Sequence, residues 1–199
     1  MRSKNKRRTA GGRATAEESK AAILKAAAEV FPERGYLKTT MRAIARRAGI
    51  SVGGIYLYYK NKKELYTLLL CGQREAFCER CAGIGKERPE EALRTLMDCY
   101  FEYAVKRPKL IAMHLKEFDL EFKRPFRQEF FDSQRRLVLD ILRRGVKQGV
   151  FREDAARKET AEAILSGIRG LVLTHISGVG EFGKYRDALY RMILKGIGK

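Results

Sequence analysis

Tryptophan is missing from this 199-residue chain, proline occurs only four times and histidine twice. With so little proline to interrupt the long periodic stretches, the chain is expected to be all-α. Two isolated histidines, with no P-loop, GxSxG or Rossmann glycine pattern, leave no credible catalytic constellation, so the protein is not expected to be an enzyme. No stretch approaches about 18 consecutive apolar residues. The opening MRSKNKRRTAGGRAT has the charge of a signal n-region without the apolar run that would follow one. A cytoplasmic protein with no membrane partner is therefore expected. The four cysteines, Cys71, Cys78, Cys81 and Cys99, fall in one short region patterned as helix, which argues against disulfide stapling and for reduced thiols. Cys78-x2-Cys81 lacks the second close pair that a tetrahedral zinc site usually brings, so neither a metal nor a cofactor is expected.

What the chain has in excess is positive charge: 42 Lys and Arg against 24 Asp and Glu, for a formal +18 and a pI near 10.0. Such a balance suits a polyanionic partner, because lysine and arginine contacts to phosphate release condensed counterions. Two thirds of the excess precedes Glu64, with 16 basic and 4 acidic residues up to Lys63 against 26 and 20 beyond it.

Residues 1–14 are basic, small and glycine-containing, and are expected to form a disordered arm. Thr15 with Glu18 fits a capping box that opens a helix with an apolar stripe of Ile23, Leu24, Ala27, Val30 and Phe31, ending near Gly35. KTTMRAIARRAG then reads as a short helix capped by Thr39 or Thr40 and stopped by Gly49. Ser51 is an N-cap candidate for a further short segment through Tyr56. Two short helices joined by a glycine turn make a helix-turn-helix. Asn61 with Glu64 caps a longer helix, and later helices are expected near 89–106, 109–122, 126–148, 155–177 and 183–197. The domains are accordingly expected to be a helix-turn-helix DNA-binding domain at 15–62 and a helical effector-binding and dimerisation domain at 63–199.

In a DNA-binding helix-turn-helix the second helix lies in the major groove while the first crosses the backbone. Gly53 and Gly54 would let that helix approach the duplex closely, leaving Val52 for thymine methyls and Ser51 for a phosphate or base edge. Tyr56 and Tyr58 can donate phenolic hydrogen bonds to phosphates, and Lys60 and Lys62 add charge beside the next helix N-terminus. Thr39, Thr40 and Arg42 complete the candidate DNA-binding set, with Arg46 and Arg47 on the same helix. The competing reading is a solvated basic face on an ordinary helical bundle.

TTMRAIARRAGISVGGIYLYYKNKKEL, preceded by ILKAAAEVFPERGY, resembles the N-terminal domain of TetR-family transcriptional regulators over residues 20–70. The resemblance is carried by Phe31 and Gly35, by Ile44-Ala45 and Ala48-Gly49 around the turn, and by Ile55-Tyr56, Lys62 and Leu65. It implies a three-helix DNA-binding domain on a larger helical domain that dimerises and binds a small effector. It further implies that Thr40 is the cap meeting phosphate, that Gly53 to Tyr58 contact the groove and that Lys62 anchors to the DNA backbone. Tyr58 and Tyr59 stand where the family often has histidine and phenylalanine, and Gly54 removes a side chain that reads a base in some members.

ILRRGVKQGVFRED, residues 141–154, resembles the turn before the family's last helix pair, which commonly builds a dimeric four-helix bundle. The stripe Ile164, Gly167, Ile168, Leu171 and His175 is the candidate dimer interface, although a monomeric core would give the same pattern. Met97, Tyr100, Phe101, Met113, His114, Phe118 and Phe130 are candidates for an effector pocket, with His114, Glu117 or Arg94 as polar handles. The expected protein is a sequence-specific transcriptional regulator, a homodimeric repressor released from a near-palindromic double-stranded operator by a small-molecule effector. The alternative that charge alone permits is a non-specific DNA-coating or architectural protein.

Overall fold

The computed structural model describes residues 15–117, 119–178 and 181–199. The basic arm of residues 1–14 and the pocket candidate Phe118 lie outside them. The chain divides into two compact units, Met1–Leu65 and Tyr66–Lys199. Both are helical, and among the described residues the sole β pairing is an isolated bridge between Phe151 and Gly198.

In the first unit, α1 spans Ala16–Lys38 and opens with the expected capping box: Thr15 Oγ1 accepts from Glu18 N at 3.1 Å while Thr15 N donates to Glu18 Oε2 at 2.7 Å. Its helical geometry breaks at Gly35, whose φ of 77° belongs to the left-handed region. The helix α2, Met41–Ala48, is capped by Thr40 and closed by Gly49 at φ 72°. The five-residue α3, Val52–Tyr56, follows after Ser51. Ile23, Ala27, Val30 and Phe31 of α1 are buried, as are Ile44 and Ala45 of α2, Ile55 of α3 and Leu65, just past Lys62 in the next helix. Leu24 of the expected stripe is only half-buried, and Ala26 takes the inner position instead.

The helix α4, Lys62–Cys81, starts at the Asn61 cap, where Glu64 N donates to Asn61 Oδ1 at 2.9 Å. Glu64 does not close a capping box on Asn61; its carboxylate accepts from Lys60 N at 2.7 Å, one residue earlier.

The second unit adds α5 (Pro89–Lys106), α6 (Pro108–Lys116), α7 (Arg124–Lys147), α8 (Lys158–Ile176) and α9 (Phe182–Ile197). Proline at the first turn of α5, α6 and α7 loses no helical hydrogen bond there. The expected helix over 109–122 is shorter than its apolar pattern. Glu117 leaves helical geometry, and its carboxylate is held by the Tyr66 hydroxyl at 2.6 Å; a 3-10 turn at Glu121–Lys123 then leads into α7. The core runs along α5, with Leu93, Leu96, Met97 and Phe101 packed among Val138, Ile141 and Leu142 of α7 and Leu165 and Ile168 of α8. Gly149 at φ 72° ends α7, and backbone bonds from Arg152 N to Ile197 O and from Lys199 N to Val150 O tie the following loop to the end of α9. No helix among the described residues is long and apolar enough to cross a membrane.

Candidate nucleic-acid interface and effector cavity

The short α3 has few intrahelical bonds to hold it, so its caps carry much of its order. Ser51 Oγ accepts from Gly54 N at 3.0 Å, and Thr40 Oγ1 does the same for Ala43 N at 3.2 Å at the head of α2. A side chain at Gly54 would place its Cβ 3.1 Å from Ser51 Oγ, so that glycine serves the cap; at Gly53 an added Cβ meets nothing within 4 Å. Gly53 therefore presents bare backbone to solvent.

Around it, Arg42, Ser51, Val52, Tyr56 and Lys60 are exposed and Tyr58 is half-buried. Leu57, within the Gly53 to Tyr58 run that the resemblance assigns to the groove, is 82% exposed. Thr39 differs from the rest. It is 1% exposed, and its hydroxyl donates to Gly35 O at 2.7 Å, so its side chain seals the broken end of α1. Lys62 Nζ donates to Tyr36 O at 2.7 Å and Leu37 O at 3.3 Å and sits 4.4 Å from the Tyr36 ring centroid. Its ammonium thus braces the same helix end. Arg47 is paired with Glu29 at 2.8 Å and Glu33 at 3.0 Å, which raise its pKa and tie α2 to α1; both it and Arg46 beside it are exposed. Tyr59 is buried, and burial pushes its phenol up. Of the candidate DNA-binding residues, Thr40, Arg42, Ser51, Val52, Gly53, Tyr56 and Lys60 are thus exposed, with Arg46 and Leu57, and Tyr58 is half-buried.

In the second unit a cavity of about 360 Å³ lies among α4, α5, α6, α7 and α8. Tyr100, His114 and Phe130 line it, together with Phe77, Tyr103, Phe126 and Phe131. Met97, Phe101 and Met113 do not; they are buried in the surrounding core. The expected handles Glu117 and Arg94 are also outside the lining, Arg94 lying over the Tyr190 ring. Four cations in the wall were missed: Arg74, Lys123, Arg127 and Arg169. No sequence pattern separates them from the many other basic residues, because only the packing of α4, α7, α8 and the turn before α7 brings them together. Burial, helped by the nearby Lys123 charge, lowers His114 to about 4, so its ring is neutral at physiological pH; its Nε2 lies 3.2 Å from Gln73 Oε1. Burial likewise lowers Lys123, against the pull of Glu117.

On the candidate dimer stripe, Ile164 and Ile168 face inward and belong to the protomer's own core. Gly167 admits the Leu189 side chain of α9, whose Cδ1 would lie 3.2 Å from an added Cβ. Leu171 and His175 are half-buried farther along α8. One apolar stripe thus serves mainly intramolecular packing. Among the cysteines, Cys81 is buried and its thiol is pushed up to about 12, first by burial and then by Cys99 and Cys78, which leaves it a poor source of thiolate.

A capped, glycine-bearing recognition helix on a basic three-helix unit, joined to a helical unit with an apolar cavity, defines the class of ligand-responsive helix-turn-helix regulators. Residues 23–69 match the model of the bacterial regulatory proteins of the tetR family, and residues 89–173 match a tetracyclin repressor-like C-terminal domain. The chain is 30% identical over 137 residues to the HTH-type transcriptional repressor KstR2 of Mycobacterium tuberculosis, covering 66% of this chain and 68% of that protein. It is 27% identical over 159 residues to the fatty acid metabolism regulator protein of Bacillus subtilis, covering 77% and 81%. The solved structure of the Mycobacterium tuberculosis ketosteroid transcriptional regulator KstR2 superposes with a TM-score of 0.70 at 25% identity, over 96% of this chain and 100% of that one. Bacillus subtilis FadR in complex with stearoyl-CoA shares the fold, with a TM-score of 0.77 at 23% identity over 89% and 99%. This chain belongs to the TetR family of transcriptional regulators.

Proposed function

We propose that the chain is a transcriptional repressor that binds a near-palindromic DNA operator as a homodimer in the cytoplasm and is released by a small apolar effector. The observation that carries the DNA-binding half is the exposed, side-chain-free backbone at Gly53, held at the head of a capped helix and flanked by Arg42, Tyr56 and Lys60. Residues 15–62 bind DNA, with the arm of residues 1–14 adding phosphate or minor-groove contacts. Residues 63–199 bind the effector and dimerise. Leu171 and His175 of α8 with Tyr185 and Met192 of α9, the last two exposed large side chains, form the protomer's part of the dimer face.

The effector acts through α4. That helix begins with Lys62, which braces the end of α1, and farther along it contributes Leu70, Gln73, Arg74 and Phe77 to the cavity wall. A ligand that shifts α4 changes the spacing of the two recognition helices, so that they no longer fit successive major grooves. The relatives named for fatty acid metabolism and ketosteroid regulation, and the FadR complex with stearoyl-CoA, support an apolar effector. Sedimentation of the protein alone and on a selected operator tests the reading: two protomers per duplex are expected, and a monomer that stays a monomer on DNA refutes it.

A further inference from the structure

The cavity wall in the second unit holds donors that the fold itself does not use. Arg169, on α8, turns Nη1 toward Glu162 at 3.8 Å and lays its guanidinium 4.2 Å from the Phe131 ring centroid. Its Nε and Nη2 are buried with no hydrogen-bond partner. These two nitrogens form the side-on edge of the guanidinium, the edge that meets a carboxylate through two parallel hydrogen bonds. Tyr100 is 9% exposed, and its hydroxyl is also buried without a partner; Arg169 beside it opposes the upward push that burial exerts on the phenol. Lys123, 5% exposed in the same cavity wall, has no hydrogen-bond partner for Nζ, and Glu117 is 3.8 Å away. Burying donor atoms without an acceptor is costly even where the charge has an ion-pair partner, and an apolar residue in their place would cost less. Their presence in a wall otherwise built largely of aromatic and aliphatic side chains calls for an acceptor that arrives from outside.

A second, polar cleft shares Phe131 and Arg127 with the cavity and adds Arg124, Arg135 and Lys158 beside the carboxylates of Asp132 and Glu162. We infer that the effector is an apolar molecule ending in a carboxylate, with its body in the cavity and its carboxyl oxygens on Arg169 Nε and Nη2 and the Tyr100 hydroxyl. The acid is recognised free, because a thioester of it keeps a single neutral carbonyl oxygen and cannot span both nitrogens. This rests on the reading of the chain as an effector-released repressor.

Calorimetric titration of the full chain with decanoate, 1-decanol and decanoyl-CoA tests the inference. Decanoate should bind about ten- to a hundredfold more tightly than the alcohol, the contribution of a charge-assisted bidentate contact, and decanoyl-CoA, which lacks the carboxylate, should not share that gain. Arg169→Met should fold with an unchanged or higher Tm and bind decanoate no better than 1-decanol, while Arg169→Lys, which keeps the charge and loses the fork, should fall between. Tyr100→Phe, which removes a single oxygen, should narrow the same preference and serves if Arg169→Met fails to fold. Tighter binding of decanoyl-CoA than of decanoate would overturn the inference, since the thioester lacks the carboxylate. Equal binding of acid and alcohol, or a preference that survives both Arg169→Met and Tyr100→Phe, overturns the inference. Operator release is read separately. Decanoate that binds without releasing DNA refutes the repressor reading and spares the carboxylate site; release by another ligand when decanoate does not bind does the reverse.

Discussion

Replacing Gly53 by alanine is expected to move folding and DNA binding in opposite directions. Gly53 is the second residue of α3, and a Cβ built there meets nothing within 4 Å. The methyl group enters without a clash and removes backbone freedom from the unfolded chain, a gain of about 0.5–1 kcal/mol. A unit of this size should register it as a rise of several degrees in its unfolding transition. At Gly54 the same change sets a Cβ 3.1 Å from the Ser51 Oγ that caps the helix, so Gly54→Ala should gain less or nothing and is the control. On DNA the signs reverse for Gly53→Ala. The added methyl stands between the recognition-helix backbone and the groove, holding Ser51 and Tyr56 away from their phosphates. A loss of about 1–3 kcal/mol, comparable to a lost base contact, weakens operator binding by about 5- to 150-fold. Thermal unfolding and fluorescence anisotropy at roughly 150 mM salt, where non-specific attraction is reduced, measure the two effects on one preparation. A Gly53→Ala protein that is more stable and binds its operator as tightly as before would refute the placement of Gly53 against the duplex.

Neighbouring arginines should separate by partner: Arg46→Ala should weaken operator binding, while Arg47→Ala, which unties Glu29 and Glu33, should change binding less; equal losses in anisotropy would contradict this. His114 is held neutral in the folded state with its pKa lowered to about 4, so below its unfolded value the unfolded chain takes up the proton first. The stability this contributes is complete above about pH 6.5 and is lost as pH falls toward 4, a few kcal/mol over the window. Urea midpoints across that range should therefore fall with pH, and fall less in His114→Phe; parallel pH profiles would exclude His114 as a cause. Gly145→Ala drives a Cβ to 2.0 Å from Phe151 Cδ2 in a closed core, so a loss near the upper end of the roughly 1–3 kcal/mol typical of overpacking is expected, and an unchanged Tm would disprove that contact.

The parts of the molecule legible in the sequence are those decided over three or four residues. The Thr15–Glu18 capping box, the left-handed Gly49 and the Ser51 and Asn61 caps each depend on a side chain and a backbone group in adjacent turns, so the residue types reveal them. The recognition helix follows from the same local chemistry. What stayed hidden depends on distant partners. Thr39 and Lys62 carry the residue types of DNA contacts, yet their polar atoms are turned to the broken end of α1, a geometry set by Gly35. The α8 stripe is apolar over more than one face, so periodicity alone did not tell Ile168, buried in the protomer, from the half-buried Leu171. Arg169 and Lys123 look like ordinary surface charges in sequence, and only the convergence of α4 to α8 shows them walled into a cavity.

Selection of bound duplexes from a random pool, followed by sequencing, tests sequence-specific binding by a two-fold dimer most directly. Enrichment of an inverted repeat, with half-sites about one helical turn or more apart, is the expected result, and it would supply the operator for the release experiments. DNA bound without enrichment of any repeat would contradict it, leaving a basic protein that coats DNA and a recognition helix with nothing to recognise.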